Sequence, residues 1–103
     1  MNSKEASKWD EAKKNQVSEK VTLGPYFSFQ LKQTPRRVAF ILSRYKFAAK
    51  MIGENKEVLE VGCSEGLGAP ILSEFSNRYV GLDIDEEAVK DANDNFKMEK
   101  ADF

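Results

Sequence analysis

Hydrophobic positions in the middle of the chain recur with the spacing of one face of an α-helix. After residue 34 each of them lies three or four positions from others of the set, the spacing of a helix packed on one side. They are Val38, Ile41, Leu42, Tyr45, Ala48, Ala49 and Ile52. Pro35 suits the first helical turn and Gly53 suits the C-terminal end. The pattern predicts a helix over residues 35–52 with Thr34 as its N-cap.

The remaining apolar runs are shorter and predict strands separated by helices. EVLEV at 57–61 indicates a buried strand, YVGLD at 79–83 a second strand, and MEKADF at 98–103 the start of a third. We expect a helix from Ala69 to about Asn77 between the first two strands, and a further helix with Asp85 as N-cap before the third. Strands that alternate with helices in this way predict βαβ units and a parallel sheet.

The first 34 residues lack this alternation. Residues 1–22 are polar and lysine-rich, which indicates a flexible arm or a loosely held helix. LGPYFSFQL at 23–31 places three aromatics after a Gly-Pro turn, and either core packing or the covering of a ligand would explain them. We therefore predict an N-terminal arm and aromatic cap segment at 1–34, followed by an α/β domain at 35–103.

Composition and charge exclude several classes of function. The chain has 103 residues, of which 41% are hydrophobic and 32% charged, as expected for one small globular domain. Its formal net charge of -1 offers no basic surface for nucleic acid. One cysteine and no histidine exclude an internal disulfide, a Cys/His zinc site and a histidine base from this chain. No apolar run approaches the ~20 residues of a membrane span or forms a signal-peptide core, so we expect a cytoplasmic protein. We expect no metal site.

A glycine-rich turn, GCSEGLG at 62–68, lies between the first strand and the following helix. Glycines in such a turn let the backbone approach a ligand where a Cβ would clash, so we expect all three to serve that approach. Parallel α/β sheets bind ligands at this end of their strands. Asp83 closes the second strand about twenty residues after the first glycine, the distance at which an acid reaches the hydroxyls of a ribose. A nucleoside-containing cofactor is therefore expected.

Three kinds of cofactor site compete for this turn. A P-loop needs Gly-Lys-Ser/Thr, and the turn holds no lysine. A dinucleotide site needs G-x-G-x-x-G, but Ser64 and Leu67 stand at the second and third glycine positions. Glu60, at the end of the first strand, is a poor neighbour for pyrophosphate and a good one for a cationic group. A cofactor that carries a positive charge fits best.

This combination resembles a known family. VLEVGCSEGLGAPIL at 58–72, followed by YVGLDIDEEAVKDA at 79–92, is similar to motif I and the next acidic motif of class I S-adenosylmethionine-dependent methyltransferases. The similarity extends from about Arg44 to Phe103 and includes RYKFAAKMI before motif I. It implies a Rossmann-like methyltransferase fold, S-adenosylmethionine as cofactor and S-adenosylhomocysteine as product.

The resemblance implies a role for each matching residue. Glu60 lies near the methionine moiety, Asp83 bonds the ribose hydroxyls and Ile84 packs on the adenine. Asp102 matches the acid that bonds the adenine amino group, with Phe103 beside it. The turn under the methionine moiety consists of Gly62, Cys63, Ser64, Gly66 and Gly68. A serine at the usual second glycine position departs from the family pattern, and the cysteine is not expected to be a nucleophile because no histidine accompanies it.

The family's sheet has the strand order 3-2-1-4-5-7-6, and this sequence ends at the third strand. We therefore expect a fold truncated after that strand, with N-terminal helices and then β-α-β-α-β. Neither a catalytic residue nor the methyl acceptor is assignable from it. One interpretation is the N-terminal, cofactor-binding portion of a methyltransferase; the other is a non-catalytic cofactor-binding or assembly module, or one piece of a split methyltransferase. Because strand 57–61 has an open apolar edge, we expect self-association or pairing with the missing C-terminal half.

Overall fold

The computed structural model describes residues 2–14 and 20–103. The remaining positions of the predicted N-terminal arm lie outside the described residues. The helices and strands, in chain order, are α1 (Ser3–Lys14), α2 (Pro25–Gln33), α3 (Pro35–Ile52), β1 (Glu57–Val61), α4 (Ala69–Ser73), β2 (Arg78–Leu82), α5 (Glu86–Phe96) and β3 (Ala101–Asp102). Among these residues, no helix is both long and apolar enough to cross a membrane.

The strands form a parallel sheet in the order β1-β2-β3. Val58 of β1 pairs with Tyr79 of β2, which pairs with Ala101 of β3, so these three side chains share one face of the sheet. Helices α4 and α5 connect successive strands, as in a chain of βαβ units. The predicted fold class is confirmed: N-terminal helices precede a β-α-β-α-β arrangement that corresponds to the first three strands of a Rossmann-like methyltransferase fold.

The hydrophobic core lies between one face of this sheet and the helices. Its fully packed members are Ala69, Leu72, Tyr79, Phe96 and Ala101. The predicted stripe of α3 packs against them through Tyr45, Ala48, Ala49 and Ile52, all of them half-buried. The apolar period of α3 therefore identified the side that faces the sheet, and the glycine turn is attached to the carboxyl end of the same layer.

The opposite face of the sheet is uncovered. Leu59 and Val61 of β1 are 61% and 78% exposed, and Leu82 of β2 is 48% exposed. The prediction that 57–61 is a buried strand is therefore wrong for one of its two faces. The reason is the side on which the helices lie: the residues of α3, α4 and α5 that join the core pack on the face that carries Tyr79.

Two further expectations are corrected by hydrogen bonds. Thr34 precedes α3, but its hydroxyl bonds to the backbone and side-chain oxygens of Gln30 in α2 and does not cap α3. Helix α4 ends at Ser73, not near Asn77, because the backbone beyond it turns to bond the loop before β1: the Asn77 N–H donates to the Lys56 carbonyl at 2.8 Å. The α3 bounds and the Asp85 N-cap of α5 are confirmed.

The aromatic segment forms a helix attached to the glycine turn. The buried carboxylate of Glu65 accepts the backbone N–H groups of Tyr26 and Phe27 at 2.9 and 3.0 Å, in the first turn of α2. Phe27 is 4% exposed, which fits core packing, whereas Phe29 is 60% exposed. Helix α1 buries none of its residues. The division between 1–34 and 35–103 stays a prediction.

Candidate functional site

The glycine turn folds back onto the end of β2. The N–H groups of Gly62 and Cys63 both donate to the Leu82 carbonyl, at 2.7 and 2.9 Å. Gly62 has a φ of 80°, and Ser64 has a φ of 52°, in the left-handed region that glycine adopts most readily. Ser64 stands where the family pattern has a glycine, and its backbone adopts the left-handed conformation that favours glycine.

The glycines of the turn are required for different reasons. A Cβ on Gly68 would lie 2.3 Å from the ring of Tyr45, and a Cβ on Gly66 would lie 2.8 Å from the Cβ of Ala92. At Gly62 a Cβ would meet nothing within 4 Å. Close packing within the protein therefore excludes a side chain at Gly66 and Gly68, and the expectation that these two glycines also serve a ligand stays a prediction. Gly62 borders open space and is the position where a ligand can approach.

Asp83 connects the turn to the start of α5. Its Oδ1 accepts the N–H of Asp85 at 2.9 Å, and its Oδ2 accepts the N–H of Ser64 at 2.8 Å. Hydrogen bonds from the backbone of Asp85, then of Ser64, lower the pKa of this carboxyl. Each carboxylate oxygen has a further lone pair, so Asp83 can accept two more hydrogen bonds from a ligand.

Glu60 is held by two tyrosine hydroxyls. Tyr45 of α3 donates to Oε2 at 2.6 Å, and Tyr79 of β2 donates to Oε1 at 2.5 Å. Burial raises the pKa of both hydroxyls, and the bond to Glu60 and its charge raise it further, so both stay protonated donors. Sequence reasoning placed Tyr45 on the apolar face of a helix and Tyr79 at the start of a strand, and gave neither hydroxyl a partner. The available signal was chemical, since a buried tyrosine hydroxyl needs a hydrogen-bond partner and Glu60 was the nearby acid.

A cleft of about 350 Å³ opens between α3 and the end of β1. Its lining residues are Ile41, Arg44, Tyr45, Ala48, Glu60, Val61 and Gly62. The structure thus brings Glu60 and Gly62 together on one cleft, within the size range of small-molecule sites. Arg44 is a lining residue that the sequence did not single out.

Cys63, within the turn, is buried and 1% exposed. Burial, followed by the charges of Glu60 and Asp83, raises the pKa of its thiol to about 11. The thiol is therefore protonated at neutral pH, which agrees with the expectation that it is not a nucleophile.

The remaining predicted residues lie along the carboxyl edge of β2 and β3. Ile84 is fully exposed, at 101%. Asp102 ends β3; its Oδ1 accepts the Phe103 N–H at 2.9 Å and lies 3.7 Å from Nζ of Lys97. The Phe103 ring meets the ring of Tyr79 edge-on, with centroids 5.8 Å apart. Ile84 is thus available to a ligand, while Phe103 packs under the turn.

Known proteins are similar in sequence to parts of this chain. Residues 59–103 match the sequence model of the methyltransferase domain family. A protein of Mycolicibacterium smegmatis named "Probable S-adenosylmethionine-dependent methyltransferase" is 47% identical over 34 residues, which are 33% of this chain and 13% of that protein. The ribosomal protein L11 methyltransferase of Thermotoga maritima is 32% identical over 84 residues, which are 81% of this chain and 30% of that protein. The chain spans less than a third of the length of either relative.

The family match begins in β1 and covers the glycine turn, β2, α5 and β3, which carry Glu60, Asp83 and Asp102, whereas α3 precedes the matched residues. Both relatives are named as methyltransferases, the class of protein that motif I and the acidic motif of this chain resemble. The parallel β-α-β-α-β order agrees with them. These matches support a class I S-adenosylmethionine-dependent methyltransferase.

Proposed function

We propose that this chain is the N-terminal portion of a methyltransferase and binds S-adenosylmethionine, with S-adenosylhomocysteine as the product. One observation carries the proposal: Glu60 and Asp83 lie at the carboxyl ends of neighbouring parallel strands, on either side of a turn whose first glycine, Gly62, borders open space. The family relationship supports the identity of the cofactor.

The described residues fit the parts of this cofactor. Glu60, on the cleft beside α3, suits the positively charged methionine end. Asp83 keeps lone pairs for the ribose hydroxyls, and the exposed Ile84 offers an apolar surface to the adenine. Asp102 and Phe103 stand on the next strand end, where an acid can accept the adenine amino group. The turn from Gly62 to Gly68, with Cys63, Ser64 and Gly66, supports the methionine moiety.

The cofactor supplies an electrophilic methyl group on its sulfonium. The residues of this chain bind and orient it, and methyl transfer depends largely on such positioning. None of the described residues is proposed as a catalytic acid or base. The name of the Thermotoga relative makes a ribosomal protein the first acceptor to test.

Calorimetric titration tests the cofactor assignment. The folded chain should bind S-adenosylmethionine and S-adenosylhomocysteine more tightly than NAD, because Ser64 and Leu67 break the dinucleotide fingerprint and Glu60 would repel pyrophosphate. Tighter binding of NAD would overturn the proposal.

A second candidate function is that of an assembly module or one piece of a split methyltransferase. The open sheet favours it: among the described residues β1 pairs on one side alone, with β2, and its Leu59 and Val61 are exposed. Apolar strand edges pair readily with other chains. Under this proposal the chain self-associates or pairs with a polypeptide that supplies the next strand.

Sedimentation at micromolar concentration, together with a thermal melt, tests this assembly. Leu59→Lys with Val61→Lys should shift an associated form towards monomer, whereas Phe29→Lys, at an exposed position of α2, should not. A monodisperse monomer with a cooperative melt in the unsubstituted chain would contradict the assembly proposal and leave the cofactor assignment standing.

A further inference from the structure

Charge is divided unevenly along the chain. Residues 25–52, which contain α2 and α3, carry six cationic side chains and no acid, whereas residues 53–103 carry five cations and thirteen acids. The net charge of -1 therefore conceals a strongly basic segment. The six cations of this segment are exposed and take part in no salt bridge among the described residues; they are Lys32, Arg36, Arg37, Arg44, Lys46 and Lys50.

One face of α3 combines these cations with apolar side chains. Arg36, Phe40, Arg44, Phe47 and Met51 follow one another at intervals of four, four, three and four residues, the spacing of a single stripe along a helix. The two phenylalanines and the methionine are each more than half exposed. A different set of α3 residues packs on the sheet. This basic apolar stripe is therefore a second face of α3, turned away from the core.

Helix α2 has the same character. It packs against α3, its only charged residue is Lys32, and its Phe29 and Leu31 are exposed. Large apolar side chains that stand together in water are typical of a binding surface. A partner that satisfies both the apolar side chains and the cations has to be anionic and has to take up apolar groups.

Among anionic partners, a lipid surface fits the stripe best. Single-stranded nucleic acid binds in a basic groove with aromatic platforms, whereas this stripe lies on the convex outer side of a helix. A protein that received the stripe would need a groove shaped for it. An anionic membrane needs no groove, because apolar side chains of an interfacial helix insert between the lipids while neighbouring arginines and lysines bind the headgroups. Basic amphipathic helices are typical of such contacts.

We propose that α3 binds the surface of an anionic membrane through this stripe, with Phe40, Phe47 and Met51 among the lipids and the cations at the headgroups. Phe40 and Met51 are about 16 Å apart along the helix axis, at ~1.5 Å per residue, so the helix lies along the surface. The acidic residues 53–103 are repelled by the membrane, which favours the orientation with α3 towards it. This contact is separate from the cofactor site, since Arg44 is the one member of the stripe that lines the cleft.

Flotation with lipid vesicles measures the binding of the full chain. Equimolar phosphatidylcholine and phosphatidylserine should bind it, pure phosphatidylcholine should bind it far more weakly, and added salt should reduce the difference. Arg36→Glu should weaken binding to the anionic vesicles by about tenfold or more, because each charge near such a surface contributes about fivefold. Phe47→Ser should weaken it by about fivefold or more, since an apolar side chain no longer inserts.

The matched controls lie on the uncovered face of the sheet, opposite α3. Arg78→Glu makes the same change of charge as Arg36→Glu, and Leu59→Ser removes an exposed apolar side chain as Phe47→Ser does. Both should leave vesicle binding within about twofold, because their charges and side chains stay away from the membrane. Thermal melts check that each variant is folded.

Several results would overturn the proposal and leave the cofactor assignment standing. They are no binding to the anionic vesicles, equal binding to both kinds of vesicle, and equal losses for the stripe variants and their controls. Poly-glutamate and a single-stranded oligonucleotide replace the vesicles in a parallel experiment. Binding of either one where the anionic vesicles fail would assign the stripe to a protein or a nucleic acid instead.

Discussion

The two carboxylates of the site stand at neighbouring strand ends and are held in different ways. Asp83, directly after β2, accepts backbone N–H groups from Asp85, two residues on, and from Ser64 in the adjoining turn. Glu60, within β1, accepts side-chain hydroxyls from Tyr45 on α3 and Tyr79 on β2. One acid is thus oriented mainly by loop backbone and the other by the packing of distant elements.

The difference shows which part of the site depends on the whole fold. An acid that bonds the backbone two residues ahead forms its turn locally, as Asp commonly does. The Glu60 arrangement requires α3 to be docked, and docking requires Gly68, where any side chain would collide with the Tyr45 ring. Changes in packing should therefore alter the methionine end of the site, while the ribose end should respond to changes within the loop.

Removal of the Asp83 carboxylate is the most direct change at the ribose end. Asp83→Ala should lower affinity for S-adenosylhomocysteine by about tenfold or more, because the ribose hydroxyls lose charge-assisted hydrogen bonds and Ser64 loses its acceptor. Calorimetry measures the change, with the exposed Glu99→Ala as the control for loss of one negative charge. An unchanged dissociation constant would show that the ribose binds elsewhere.

Removal of one tyrosine hydroxyl tests the Glu60 end. Tyr79→Phe should reduce the free energy of unfolding by about 1.5–3 kcal/mol, since a hydrogen bond to a charged group is lost inside the protein. Tyr45→Phe should cost less, because Tyr45 is half-buried whereas Tyr79 is fully buried.

Urea denaturation measures these losses. Tyr26→Phe is the matched control, because the Tyr26 hydroxyl makes no hydrogen bond within the parts of the chain that the structure describes and its ring is exposed. Equal denaturation midpoints for Tyr79→Phe and Tyr26→Phe would contradict a stabilising role for the bond to Glu60.

The turn backbone should gain stability from a glycine at position 64. Ser64→Gly removes a side chain from a residue with left-handed backbone, which relieves steric strain in the folded state. The greater flexibility of glycine in the unfolded state offsets part of this effect, so the free energy of unfolding should rise by about 0.5 kcal/mol. A thermal melt should show a rise of about 2–4 °C. Asn55→Gly is the control, because Asn55 also has a positive φ but asparagine tolerates it, so its gain should be smaller. A lower melting temperature for Ser64→Gly would show that the serine side chain stabilises the turn.

Acid should reduce the stability that Asp83 contributes to the folded chain only slightly, because Asp83 is half-exposed and solvent screens its charge. Backbone hydrogen bonds hold its pKa below the ordinary carboxyl value of about 3.9. The stability they contribute is present above that unfolded value and is lost as pH falls through the lower folded value. The difference in melting temperature between the unsubstituted chain and Asp83→Asn should be constant from about pH 7 to about pH 5 and shrink below about pH 4. A difference that persists at about pH 2 would contradict this assignment.

Local signals predicted the elements that depend on nearby residues. The apolar period of α3 and the Asp85 N-cap of α5 both depend on side chains within a few positions of one another, and both are confirmed. The Thr34 cap failed because α2 offers its hydroxyl an acceptor at Gln30, a competitor that a local pattern does not contain. The roles of Asp83, Ile84 and Asp102 towards a cofactor stay predictions.

The amino-acid sequence by itself determined the order of helices and strands from residue 35 onwards, the glycine turn between an acid and a helix, and the resemblance to the methyltransferase family. These features follow from residue spacing, which a linear pattern records. The tertiary structure alone decided that Tyr45 and Tyr79 hold Glu60, that Gly66 and Gly68 are required by packing, and that one face of the sheet stays exposed. Each of these depends on which elements meet in space. A hydrogen bond or a steric contact joins residues that are far apart along the chain, and their separation in the sequence does not show that they are close in the fold.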